Sequence, residues 1–154
     1  MVSRAIIRIG AAIGTTLGTG FSPVAPGTAG SLVAFGLWLL FGAASAGTAL
    51  IVLAVLIPLS FAGAAAGEAL WGHDPGRVNI DEVLGTWIAC MPAGGSVVLA
   101  VAGLVLFRIF DVLKPWPVRR FDEMDGPAGI VLDDACAGLM AAALVLLGGR
   151  LGIR

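Results

Sequence analysis

Long apolar runs, with the acidic residues gathered at their margins, constrain this chain more than any other feature. Asp81-Glu82, Asp111 and Asp133-Asp134 each directly adjoin an apolar run, in a sequence that is 58% hydrophobic and contains only ten carboxylates. A charge at the centre of a bilayer costs roughly 2.5 to 3.5 kcal/mol on insertion scales, so such groups are usually functional and paired. The mean hydropathy of +1.01 and the 12% share of charged residues fall far from the roughly 25% charged usage of soluble domains. The expected solvent is lipid. At 154 residues, with no polar linker or internal repeat, a single membrane-embedded domain over 1–154 is expected. The formal net charge of -1 carries no signal for a nucleic-acid partner, and none is expected.

Four apolar stretches stand out: Ser31 to Ala44, Thr48 to Gly67, Val83 to Val112 and Gly129 to Gly149. A spanning helix needs about 20 apolar residues, so the first is short and the third too long for one span. Met91-Pro92-Ala93-Gly94-Gly95 interrupts the third, because Pro removes a helical hydrogen bond and Gly frees the backbone. The expected fold is therefore an all-α integral membrane protein, a compact bundle of four to five transmembrane or re-entrant helices. Residues Ser3 to Ile13, with Arg4 and Arg8 one turn apart, either form an N-terminal interfacial helix or a frayed tail. No removed signal peptide is expected.

Parity supports five arms. That count brings Gly20 to Ser31, Glu68 to Glu82 and Arg108 to Asp134 to one face, whereas four arms would split the acidic groups across the bilayer. The shared face also collects Arg4, Arg8, Arg77, Arg108, Lys114, Arg119 and Arg120, leaving Arg150 and Arg154 opposite, so the positive-inside rule makes it cytoplasmic. Trp38, Trp71, Trp87 and Trp116 sit near stretch ends, as interfacial anchors do. Cys90 and Cys136, both in apolar runs, are expected to pack as small hydrophobes.

Four polar clusters carry the chemistry. Phe21 to Ser31 is a Pro/Gly-rich turn leading into an apolar helix, whose unpaired N–H groups let Gly27, Thr28 and Ser31 cradle a phosphate; the alternative is a plain N-cap by Thr28. Asn79 and Glu82 have capping-box spacing, but Asp81 lies outside that box, and adjacent carboxylates at a helix start suit a hard cation such as Mg²⁺. Arg108, Asp111 and Lys114 recur every three residues on one helix flank, as a phosphate site or as snorkelling cations with a counter-ion. Asp133 and Asp134 lie within an apolar run with no basic residue on the same helix, so they need a bound cation, a cross-helix Arg, or protonation. Gly138, one turn on, permits a close helix approach.

Several chemistries are excluded. His73 is the one histidine, the cysteines lack a suitably spaced downstream arginine, and there is no Asp-x-Asp pair. Oxygen-ligand metal chemistry on a phosphoryl group remains. A different class, a small membrane transporter or ion-binding protein, also places carboxylates in membrane helices; clustering of Arg108 and Lys114 with the acids favours an anionic headgroup instead. A structural subunit without activity is the third class.

The four clusters together resemble the phosphatidylglycerophosphatase A family. The resemblance rests on Ala25 to Ser31, on Asp74 to Trp87 (Asp-Pro-Gly-x-Val-Asn-Ile-Asp-Glu-Val-Leu-Gly-Thr-Trp), on Phe107 to Pro117 and on Gly129 to Gly138, in order over roughly residues 20 to 140. It implies a bacterial inner-membrane, multi-pass, Mg²⁺-dependent enzyme that removes the terminal phosphate of phosphatidylglycerophosphate. Carried over residue by residue, it implies Asp81, Glu82, Asp133 and Asp134 as metal ligands or base, with Asp81, Asp133 and Asp134 as the catalytic set. Glu68 and Asp111 are further candidate ligands, and Arg108, Lys114 and Thr28 candidate phosphate contacts. One departure is Pro127, in Asp125-Gly126-Pro127-Ala128-Gly129 where family members usually carry Gly-Gly; it removes an N–H from that loop.

Overall fold

The computed structural model describes residues 3–43 and 45–153. Ala44, expected to close the first apolar stretch, and Arg154, expected on the face opposite the acids, lie outside them. Among the described residues there are seven α-helices and no strand: α1 Arg4–Gly14, α2 Pro26–Leu37, α3 Ala46–Trp71, α4 Ile80–Cys90, α5 Val97–Leu113, α6 Val118–Asp122 and α7 Pro127–Arg150. Two of them, α3 with 26 residues and α7 with 24, are long and apolar enough to cross a membrane. Both turn large apolar side chains outward, among them Leu50, Ile51 and Val55 on α3 and Leu139, Leu144 and Leu147 on α7. An outer surface of this kind suits hydrocarbon better than water.

The break expected within the third stretch is present. α4 ends at Cys90, a single 3₁₀ turn covers Met91–Ala93, and Gly94 takes φ +57° before α5 begins at Val97. At 1.5 Å per residue, α4 is about 16 Å long and α5 about 25 Å, against a hydrocarbon core of about 30 Å. α4 is the centre of the bundle: every residue from Ile80 to Cys90 except Glu82 is buried, and α2, α3, α5 and α7 all pack on it.

Two expectations are corrected here. Trp38 and Trp87 are 2% and 1% exposed, so they are core residues and not interfacial anchors. Their rings meet edge to face at 5.3 Å, and the Trp87 Nε1–H donates to the Ala49 carbonyl at 3.0 Å, which satisfies its one polar atom inside the bundle. Trp71 instead packs against Phe21 and under Arg77, and Trp116 is exposed. The first apolar helix also begins five residues before Ser31, at Pro26, whose fixed φ and missing N–H suit the first helical position. Thr28 is therefore inside the helix and does not cap it.

The N-terminal segment is helical, which removes the frayed-tail alternative. α1 packs antiparallel along the second half of α3, Gly10 against Ala66 and Gly14 against Gly63, where absent side chains let the two backbones meet. Cys90 is buried and Cys136 half-buried, both free, and the Cys90 thiol donates to the Ala100 carbonyl at 3.4 Å, as expected of packing residues.

Candidate active site

The three polar segments that parity brought together do meet, at one end of the bundle. They enclose a cavity of about 340 Å³ lined by the first residues of α2, the Asp74–Val78 turn, the start of α4, the end of α5, α6 and the first two turns of α7. The N-terminal ends of α2, α4 and α7 all reach it. Their unpaired N–H groups and partial positive charge favour negative groups, one physical reason that so many carboxylates are tolerated in one place.

The capping-box alternative for Glu82 does not hold. The Asn79 N–H donates to the Gly14 carbonyl at 2.8 Å, and its side-chain amide donates to Thr19 Oγ1 at 3.0 Å and to the Pro26 carbonyl at 2.9 Å. Asn79 thus ties α2 to the start of α4, and Glu82 is left to face the cavity beside Asp81. Gly27 makes room for it, since a Cβ there would collide with the Glu82 carboxylate and lie 3.2 Å from Arg108 Nη1.

Two carboxylate triads result, each with one oxygen per residue and those oxygens within 4.8 Å of one another: Asp81, Glu82 and Asp134, and Asp111, Asp133 and Asp134. Asp134 belongs to both. Asp81 Oδ1, Glu82 Oε2 and Asp134 Oδ2 are buried without a hydrogen-bond partner. Buried carboxylate oxygens left unpaired are costly, and a hard divalent cation is the group that oxygen donors of this kind fit. The acidic clusters can accordingly hold a metal ion.

The cations Arg108 and Lys114 stand among the carboxylates. Arg108 Nη1 is 2.8 Å from Asp111 Oδ2 but without hydrogen-bond alignment, so that N–H is still available. Lys114, the left-handed residue ending α5, donates through Nζ to Asp133 Oδ2 at 2.8 Å and to Asp122. Burial opposes the Lys114 charge, but these two hydrogen bonds outweigh it and hold its pKa above the ordinary lysine value, so the ammonium stays charged. The Asp134 N–H donates to Asp133 Oδ1 at 2.9 Å, which leaves both Asp133 oxygens engaged.

Three residues expected at the site sit apart from this cluster. Glu68 lies outside the carboxylate triads, 3.3 Å from His73 Nδ1 at the exposed rim. Ser31 is fully buried and its hydroxyl donates to the Gly27 carbonyl at 3.0 Å. Thr28 lines a neighbouring apolar groove, with Ser31 and Arg108. Conversely, Asp122 lines the cavity and holds Lys114, a role hidden in the sequence because Arg119-Arg120-Phe121-Asp122-Glu123 reads as a solvated charge run. Replacing Asp122 with Asn is expected to loosen Lys114 and lower turnover about tenfold or somewhat more, in the range that supporting ligands of a site carry. Steady-state kinetics on the purified variant checks this; an unchanged rate would show that Asp133 alone positions Lys114.

A helical bundle with buried, unpaired carboxylate oxygens and Arg and Lys side chains lining one polar cavity defines a protein that can hold a divalent cation and an anionic group together. The comparisons point to a phosphatase family. The family model for phosphatidylglycerophosphatase A matches residues 12–148. A protein of Bacteroides thetaiotaomicron provisionally named as a phosphatidylinositol-3-phosphatase is 39% identical over 141 residues, 86% of this chain and 89% of its own length. Phosphatidylglycerophosphatase A of Escherichia coli is 37% identical over 137 residues, 86% of this chain and 79% of its own. The Haemophilus influenzae protein of the same name is 41% identical over 76 residues, covering 47% and 46%. No solved structure matches the chain. The chain belongs to the phosphatidylglycerophosphatase A family and is a phosphatase.

Proposed function

We propose that this protein is a Mg²⁺-dependent lipid phosphatase acting at the cytoplasmic face of a bacterial inner membrane, hydrolysing the terminal monoester of phosphatidylglycerophosphate to phosphatidylglycerol and inorganic phosphate. The observation that carries the reading is the set of unpartnered, buried oxygens on Asp81, Glu82 and Asp134 facing Arg108 and Lys114, in a chain that belongs to this family over residues 12–148. Family membership also disfavours the transport alternative.

Asp81, Glu82 and Asp134 would hold the cation, with Asp111 and Asp133 completing the second triad around Asp134. When bound, Mg²⁺ would polarise the phosphoryl oxygens and lower the pKa of a water molecule. Arg108 would contact two phosphate oxygens through its planar guanidinium, and Lys114 would supply a point charge as negative charge builds on the leaving oxygen. Among the described residues the cavity lining contains no Ser, Thr, Cys or Tyr, and His73 is held at the rim by Glu68. In this reading a water molecule is the nucleophile: it attacks phosphorus, a nearby carboxylate takes its proton, the P–O bond to glycerol breaks, and the proton passes to the leaving oxygen to give the glycerol hydroxyl and inorganic phosphate.

A second substrate reading comes from the Bacteroides relative, whose name points to phosphatidylinositol 3-phosphate. Both substrates are lipid phosphate monoesters and suit the same donors. Phosphate release by the detergent-solubilised chain, measured on each lipid with Mg²⁺ and then with excess chelator, decides between them. Release from phosphatidylglycerophosphate is expected to be the faster, to fall to background on chelation and to return when Mg²⁺ is restored. Equal rates with and without chelator would overturn the metal assignment. Faster release from the inositol lipid would transfer the activity to that substrate, and no release from folded protein under any condition would restore the transport and structural readings.

A further inference from the structure

The carboxylate cavity opens beside a groove of about 540 Å³ between α2 and α5, and Arg108 lines both. Thr28 lies in the first turn of α2, at the cavity end, and Arg108 lies midway along the α5 wall of the groove, which runs from Leu104 to Leu113. α2 begins at the cavity and α5 ends there, so Leu32 on α2 and Leu104 and Val105 on α5, one turn from Thr28 and Arg108, lie further from the cavity end, whereas Ile109, Val112 and Leu113 lie toward it. Among the described residues, no charged group other than Arg108 lines the groove. Its outward side chains are large and apolar, with Leu32 57% and Val105 51% exposed. A groove of similar size between α3, α4 and α7, lined by Leu53, Ile88 and Leu139, shares no residue with the carboxylate cavity.

Continuity through Arg108 separates these two grooves. A phosphate monoester held at the Arg108 guanidinium places the adjoining glycerol at the Thr28–Arg108 boundary, and the apolar part of the same molecule leaves along the side that carries no further charge. The arginine stem is itself apolar and can lie along the groove while its head stays in the polar cavity. Taking the proposed lipid-phosphatase activity as its basis, we propose that the α2–α5 groove is the acyl-chain subsite of the substrate: it holds a chain of a long-chain diacyl phosphate monoester, and Arg108 marks the point where headgroup gives way to tail. Specificity for a lipid over a soluble phosphate monoester then resides in α2 and α5, away from the carboxylates.

The test fills each groove in turn. Val105→Trp and Leu32→Trp are expected to lower kcat/KM about tenfold on dioleoyl phosphatidylglycerophosphate, mostly through KM, and to leave the soluble dihexanoyl analogue within about twofold, because only the long chain draws on binding energy remote from the reacting centre. Leu139→Trp, in the other groove, is expected to change neither. A second measurement needs no turnover: a substrate carrying a diazirine in its acyl chain, photolysed on the full chain, is expected to label peptides from α2 and α5. Wild-type turnover of the dioleoyl lipid with unaltered Trp variants, equal losses on both substrates, or labelling of α3 and α7 instead would each overturn the groove assignment. A wild type that does not hydrolyse the dioleoyl lipid at all would overturn the phosphatase reading on which it rests.

Discussion

Asp134→Asn is expected to reduce phosphate release by about a thousandfold or more, the scale on which removal of a central catalytic group is felt. Asp134 is the one residue common to both carboxylate triads, it is 3% exposed, and its Oδ2 has no partner in the protein. Asn keeps the shape, so packing around α7 should survive, but the substituted atom is a donor where the site calls for a negative oxygen. The same change removes a negative charge from a crowded group of carboxylates, and thermal stability should hold or rise, the usual relation between strained sites and stability. Activity and the unfolding temperature of the purified variant, read together, check the prediction. Loss of activity with a normal or raised Tm supports the site; activity within about tenfold of the wild type would remove Asp134 from the proposed chemistry. Asp81→Asn is expected to behave alike, since its Oδ1 is equally unpartnered.

The sequence reveals those features whose causes are local. Pro92, Gly94 and Gly95 break a helix wherever they stand, so the division of the third apolar stretch could be read directly, and the convergence of the polar segments followed from counting the arms. Hydropathy could not tell helix buried in protein from helix buried in lipid, because both want the same side chains. That is why α4, at the centre of the bundle, looked like a short arm, and why Trp38 and Trp87 looked like interfacial anchors. At the site, adjacent carboxylates beside apolar runs were visible as costly and therefore purposeful. What the sequence hid were pairings over long separations. Asn79 and Glu82 had the spacing of a capping box, but Asn79 is occupied by Thr19 and Pro26, some 60 and 53 residues away. Asp122 gave no signal because its partner, Lys114, becomes its neighbour only through the turn between α5 and α6.

Gly138→Val is expected to damage both stability and activity without touching the cavity. A Cβ at Gly138 would lie 2.5 Å from the Gly85 carbonyl oxygen and 3.1 Å from its carbon and Cα, so the obstacle is backbone and no rotamer change relieves it. Gly85 is itself crowded, since a Cβ there would collide with the Phe107 ring and lie 2.8 Å from the Asp134 carbonyl oxygen. α7 must therefore move away from α4. Forced overpacking of this kind costs about 1 to 3 kcal/mol, and for a chain of this length that corresponds to a Tm lower by roughly 5 to 10 °C. The two helices carry the opposing halves of the first triad: Asp134 sits one turn before Gly138, and Asp81 and Glu82 one turn before Gly85. Any separation at the glycines widens the space between their carboxylates, so the rate should fall even at temperatures where the variant is fully folded. Gly36→Val provides the comparison, because a Cβ at Gly36 meets nothing within 4 Å, and its cost should be limited to the small helix-propensity difference. Equal Tm and equal rate for the Gly138 and Gly36 variants would show that the close approach of α4 to α7 does not set the geometry of the site.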